Sequence, residues 1–107
     1  MSKYNRWDIW YAKVKFEDSN EVKNRPVLIY NNAAYIIAYK MTSVDRGDNS
    51  SYFKITHWKE AGLTKPTSVR IEKLLKLHDS DMIRRIGSLD ERDQLLFEMR
   101  LTKNINK

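Results

Sequence analysis

Apolar, aromatic and β-branched residues come in short runs along this chain, and each run stops at polar or turn-forming residues before it reaches helix length. Residues 7–16 (WDIWYAKVKF), 26–31 (PVLIYN), 35–41 (YIIAYKM), 52–56 (YFKIT) and 68–72 (SVRIE) have the length and composition of strands. In the last of these, Val69 and Ile71 alternate with Ser68, Arg70 and Glu72, the pattern of a half-buried strand. Residues 35–41 are apolar enough for a central strand. Pro26 fits the first residue of its strand, where a missing N–H costs little. Lys73 to Leu77 continue the last run after a bend. The polar stretches 17–24 (EDSNEVKN) and 45–51 (DRGDNSS) read as loops, and Asn31-Asn32 as a turn. Trp58 to Gly62 reads as one helical turn stopped by the glycine.

The C-terminal stretch carries the clearest helical signal. Ser88-Leu89-Asp90-Glu91 has the form of a capping box, in which Ser88 accepts from the Glu91 amide and Glu91 reaches back. Acidic residues Asp90, Glu91 and Asp93 sit at the positive end of the helix dipole, and Arg100 and Lys103 at the negative end. Leu89, Leu96 and Met99 share a face, with Leu95 at its edge, and the tail from Thr102 to Lys107 is expected to fray. Five or six short strands and one terminal helix predict a mainly β fold: a small, strongly bent sheet or barrel with the helix covering one opening. The length of 107 residues fits one domain, residues 1–107.

Composition removes several function classes. There is no cysteine, so neither a disulfide framework nor a Cys-based zinc site exists. His57 and His78 are isolated and read as structural or surface residues; no metal and no cofactor is expected. No apolar run approaches the ~20 residues of a membrane span, and the N-terminus lacks a signal-like apolar stretch. A cytoplasmic protein without a membrane role is the expectation. Twenty Lys and Arg against fourteen Asp and Glu give a net charge of +6. A small basic domain of this kind suits a polyanion such as RNA, although a solvated surface with excess lysine has the same charge. The scattered basic residues form no polybasic run of the sort that binds membranes. Trp7, Trp10 and Trp58 can stack on bases, but in so small a domain aromatic rings are read as core.

Three segments resemble the MazF/PemK family of toxin ribonucleases. Arg25-Pro26 precedes an apolar strand (VLIY), and a second strand ends in Thr42-Ser43. The stretch AGLTKPTSVR, from Ala61 to Arg70, and Arg85-Ile86-Gly87-Ser88-Leu89 before the final helix follow in the family's order. The resemblance runs from Trp7 to Leu101. It implies an SH3-like barrel that dimerises, in the toxin of a type II toxin–antitoxin pair. Many members cut single-stranded RNA without a metal and leave a 2′,3′-cyclic phosphate and a 5′-hydroxyl, and an antitoxin tail blocks the site.

Metal-free cleavage requires removal of the 2′-hydroxyl proton, stabilisation of the phosphorane and departure of the 5′-oxygen. The resemblance assigns the scissile phosphate to Arg25, whose guanidinium can bind two phosphate oxygens at once. By itself, Arg25 reads more readily as an ordinary surface residue paired with Glu21 or Asp18. The resemblance gives Thr42 a hydrogen bond to the phosphate, with Ser43 sharing that role or starting the loop. Arg70 and Glu72 lie two apart on one strand and so share a face. The resemblance makes them the acid–base pair, with Glu where the family has Asp. An arginine does not release its proton readily, so charge stabilisation is the natural role of Arg70. Without the family, the two read as a surface ion pair. Glu21, Lys23, Lys40 and Arg46 are candidate substrate-binding residues; Lys40 and Arg46 also read as solvated strand edges.

The chain departs from the family at several points. The loop before Arg25 has no His, position 20 is Asn where many members have Glu, and Trp7 and Lys23 stand where glycines are usual. The phosphate-holding half of the site is therefore better kept than the proton-moving half. The leading expectation is an endoribonuclease toxin that acts on single-stranded mRNA, forms a homodimer and binds a cognate antitoxin. The alternatives are a non-catalytic RNA- or DNA-binding or regulatory module on the same fold, and a gyrase-targeting toxin like the CcdB branch.

Overall fold

The computed structural model describes residues 3–15, 20–44, 47 and 49–105. Among these, the elements are β1 (Asp8–Lys15), β2 (Val22–Asn32), β3 (Ile36–Thr42), β4 (Tyr52–Lys54), β5 (Ser68–Leu77), a 3₁₀ turn (Asp79–Asp81), β6 (Met82–Ser88) and α1 (Glu91–Ile105). All pairings are antiparallel and the strand order is β4-β5-β3-β2-β1-β6. Register shifts on β1, between β2 and β3 and between β3 and β5 bend the sheet. The mainly β architecture with a C-terminal helix is the expected class. Among the described residues β4 and β6 end the sheet without pairing to each other, so it is open.

Strand alternation divides the apolar residues into two clusters. Trp10, Ala12 and Val14 of β1 join Val27, Ile29, Ala38 and Leu77 on one face, with Tyr4 of the N-terminal segment. Ile9, Leu28, Tyr39, Met41, Phe53 and Val69 point to the other face, where α1 adds Phe97. Both faces are covered, which explains why β1 reads as an almost continuous apolar run.

Several local expectations change. Pro26 lies inside β2, opposite Tyr11, and β2 begins four residues earlier at Val22. Asn31 and Asn32 end that strand, and the bend falls at 33–35. Of the proposed loops, residues 17–19, 45, 46 and 48 lie outside the described residues, as does residue 16 at the end of the first run. The turn at 58–62 forms as expected, with Gly62 at φ +93° and the Leu63 amide donating to the Trp58 carbonyl at 3.0 Å. β6 has no counterpart among the runs read from sequence, because MIRRIGS alternates weakly and is buried only in part.

The helix differs most. It starts at Glu91, so Asp90 is its cap: its Oδ1 accepts from the Arg92 amide at 2.9 Å. Hydrogen bonds from the Arg92 side chain and backbone hold the Asp90 carboxyl down at about 2. Ser88 belongs to β6 and its hydroxyl donates to the Trp7 carbonyl. Leu95, Leu96 and Met99 are 62%, 48% and 60% exposed. The helix instead packs through Asp93 and Phe97, both fully buried, and Leu101, residues four apart on one stripe. Phe97 fills the space between Trp7, Tyr39 and Phe53 in edge-on contacts of 5.2–6.0 Å. The Asp93 carboxylate accepts from the Thr56 amide at 3.1 Å, the His57 amide at 2.8 Å and faces His57 Nδ1 at 3.2 Å.

Two predictions follow from this packing. Asp93→Ala leaves the Thr56 and His57 amides without their acceptor and should cost about 2 kcal/mol or more in urea denaturation, with Asp93→Asn losing less. Tyr4 donates its hydroxyl to Asp79, and burial followed by that carboxylate pushes its pKa up to about 12. Its folded-state pKa lies above the free value, so its contribution is complete below pH ~10 and is lost as the pH rises through about 12. An absorbance titration should show a tyrosine ionising near that pH, and Tyr4→Phe should remove it.

Candidate functional site

β2 and β3 pair from Asn32–Ile36 to Val27–Lys40 and then part. Beyond that point β2 continues with β1 alone, through Pro26–Tyr11, Arg25–Ala12 and Asn24–Lys13. β3 continues with β5, through Met41–Val69 and Thr42–Ser68. Pro26, with no N–H to donate, stands where the ladder ends. The parted strands open a groove of about 390 Å³.

One wall carries Asn24, Arg25 and Pro26, and the other Met41, Thr42, Ser43 and Val44. Arg25 is half-buried and donates from Nη1 to the Asn24 carbonyl at 3.0 Å. Thr42 is half-buried, and its Oγ1 accepts from the Val44 amide at 3.2 Å. That bond turns the chain sharply after β3 and sets Ser43 and Val44 at the rim. The floor and far side come from Gly62 to Lys65, Thr67, Tyr11, Arg84 and Ile86. The 58–62 turn can reach this position because Gly62 and Gly87 let the two backbones touch: a Cβ on Gly87 would lie 2.0 Å from the Ala61 carbonyl oxygen. Asp93 fixes the start of the same segment through Thr56 and His57.

Of the residues expected from sequence, the groove gathers Arg25, Thr42 and Ser43. Arg70 and Glu72 do not line it. Arg70 is half-buried on β5, about 7 Å along the strand from Ser68, with its guanidinium 5.6 Å from the Tyr52 ring centre; Glu72 is exposed. Opposed residues of paired strands share a face, so the Val27–Lys40 and Thr42–Ser68 pairs put Arg25, Lys40, Thr42 and Arg70 on one side of the sheet. Lys40 is half-buried and lies outside the lining. Glu21 and Lys23 form an exposed ion pair at 3.5 Å near the start of β2, also outside it. Arg46 lies outside the described residues.

Tyr11, Lys65 and Arg84 are groove residues that the sequence did not single out. Arg84 pairs with Tyr11 across β6 and β1, and its guanidinium lies 4.7 Å from the Tyr11 ring centre. The signal available was the doubled arginine before Ile86-Gly87, but only the β1–β6 pairing shows which arginine faces the groove. The groove lining thus includes Arg25, Lys65 and Arg84, and among the described residues no Asp, Glu or His. Such a lining attracts anions and contains no carboxylate to repel them. Among the described residues, no three His, Cys, Asp or Glu gather as a metal-ligand set. No helix of the described chain is long and apolar enough to cross a membrane.

Comparison with known proteins bears on the family and the fold. The family model of the PemK-like, MazF-like toxin of type II toxin–antitoxin systems matches residues 5–105. Among solved structures, the Mycobacterium tuberculosis toxin MazF-mt6 is similar in fold, with TM-score 0.72 at 19% identity over 92% of this chain and 96% of that one. An endoribonuclease from a mycobacterial species has TM-score 0.73 at 14% identity, over 99% of this chain and 94% of that one. No curated protein matches the chain significantly by sequence. The family match extends from before β1 to the last residue of α1, and the chain belongs to the PemK-like, MazF-like toxins of type II toxin–antitoxin systems.

Proposed function

We propose that this toxin is an endoribonuclease that cleaves single-stranded mRNA at the groove between β2 and β3, by attack of the RNA's own 2′-hydroxyl on the adjacent phosphorus. The observation that carries the reading is the groove itself, whose lining among the described residues has three cations and no carboxylate. The solved endoribonuclease of the same fold supports it. Arg25 binds two non-bridging phosphate oxygens and stabilises the charge that grows on them in the phosphorane. Thr42 donates its hydroxyl proton to the phosphate, since its oxygen already accepts from the Val44 amide. The 2′-oxygen forms its bond to phosphorus, the bond to the 5′-oxygen breaks, and the products carry a 2′,3′-cyclic phosphate and a 5′-hydroxyl.

Proton transfer falls to β5 in this reading: Glu72 takes the 2′-hydroxyl proton, Arg70 stabilises the charge, and the departing 5′-oxygen takes its proton from solvent water. The absence of a carboxylate or imidazole among the described residues of the groove lining favours one alternative, a module that holds RNA without cutting it. A cognate antitoxin and a second copy of the chain are the proposed protein partners. Leu95, Leu96 and Met99, exposed on α1, support a protein contact.

Purified protein should cut a long single-stranded RNA at a short recurring sequence in the presence of EDTA. Arg25→Ala should slow cutting by about 10²- to 10³-fold, the usual effect of removing one transition-state donor. Loss of cutting in Glu72→Gln supports the base; unchanged cutting removes Glu72 from the mechanism. RNA retention without cutting by the wild type establishes the binding module instead. Light scattering at micromolar protein should report twice the chain mass of 12.8 kDa, and a strict monomer refutes the dimer.

A further inference from the structure

A second hollow, of about 410 Å³, adjoins the phosphate groove and shares Ser43, Val44, Lys65 and Thr67 with it. Its remaining lining is Lys54, Ile55, Trp58, Pro66 and Ser68. The size is that of a small-ligand pocket. Trp58 is half-buried, packed against the core cluster that holds Ile55. The hollow therefore combines a supported aromatic ring and apolar walls with the hydroxyls of Ser43, Thr67 and Ser68. Among the described residues, two lysines and no acid line it.

We infer that this hollow is a nucleotide subsite, in which Trp58 stacks on the base next to the phosphate held at Arg25 and Thr42. The inference rests on the proposed RNA-cleaving function and deepens it. Continuity is the first argument: a strand whose phosphate lies in the groove passes the shared rim at Ser43 and Val44 directly into the hollow. Charge is the second, because Lys54 and Lys65 suit the next phosphate along a polyanion. Chemistry is the third. A base needs a flat ring for its face and small polar groups for its edge, and this lining supplies both. Stacking tolerates every base, so preference at this position comes from the hydroxyl-bearing side.

The test compares wild type, Trp58→Phe and Trp58→Leu on one long RNA, reading cut-site sequence, KM and kcat. Trp58→Leu should raise KM about tenfold, within the usual range for one lost base stack, with kcat little changed and base preference relaxed at one position beside the cut. Trp58→Phe should restore most of the binding. Lys54→Glu, at an exposed residue that lines the hollow and not the groove, places a carboxylate in the hollow without touching the core and should weaken binding in the same way. This second variant keeps the test valid where Trp58→Leu fails to fold. Normal KM and unchanged cut sites in a folded Trp58→Leu or in Lys54→Glu overturn the inference while leaving the nuclease reading intact. If the wild type binds RNA but does not cut it, the same affinity losses, measured with a short single-stranded oligonucleotide, still support the subsite. If the wild type neither binds nor cuts RNA, the proposed function and the inference fail together. Loss of antitoxin binding with RNA affinity unchanged assigns the hollow to a peptide and overturns the inference.

Discussion

The buried carboxylate of Asp93 joins the helix to the segment from which one side of both hollows is made. Its two oxygens take the Thr56 and His57 amides, which would otherwise be desolvated without an acceptor. One residue further on, the chain turns through 58–62 and settles on β6, in a contact so close that Gly87 has no room for a side chain. The groove floor at Gly62 to Lys65 and the aromatic wall at Trp58 are both consequences of that placement. The opposite wall depends on a different constraint. β2 and β3 separate after Val27–Lys40, each finding another partner, and the separation keeps Arg25 and Thr42 on either side of an opening rather than across a closed ladder.

The charges are distributed in keeping with that geometry. Several acidic residues are engaged away from the groove: Asp8 with Arg85, Glu98 with Arg6, and Asp90 and Glu60 with Arg92. The adjacent arginines of β6 divide between two tasks. Arg85 binds the buried Asp8, and Arg84 lies over Tyr11 at the groove. What remains in the described groove lining is positive: Arg25, held to the Asn24 carbonyl, Arg84, lying over Tyr11, and Lys65. Such preorganisation makes a donor effective when charge develops on a reacting phosphate.

Much of the fold was legible because β1, β3 and β5 carry dense apolar runs and the 58–62 turn ends in a glycine that needs positive φ. The helix was legible as a helix but not in its orientation. Its leucines and Met99 form the more apolar stripe, yet it buries Phe97 and a carboxylate, because the sheet offers an aromatic hollow and the loop after β4 offers two amides that need an acceptor. Arg25, Thr42 and Ser43 were legible through the Arg-Pro and Thr-Ser pairs that flank neighbouring strands. Arg84 and Tyr11 were not, since their meeting depends on a pairing of β1 with β6 across more than seventy residues of sequence. Trp7 is an instructive case. Where the resembling family has glycine, this chain places Trp at φ +77°, a conformation that costs about 1–3 kcal/mol for a side-chain-bearing residue. Edge-on packing against Phe97 and the Arg6 guanidinium 4.9 Å from its ring offset that strain.

The central claim is that the parted strands form a phosphate site built on fixed cations. The most direct test is the salt dependence of binding to a single-stranded oligonucleotide that carries 2′-deoxy sugars and so cannot be cut. If Arg25, Lys65 and Arg84 neutralise phosphates, the logarithm of the binding constant should fall with the logarithm of salt with a slope of about −2, and each single substitution to Ala should flatten it by about 0.7. A slope near zero, or one that all three substitutions leave unchanged, contradicts the account.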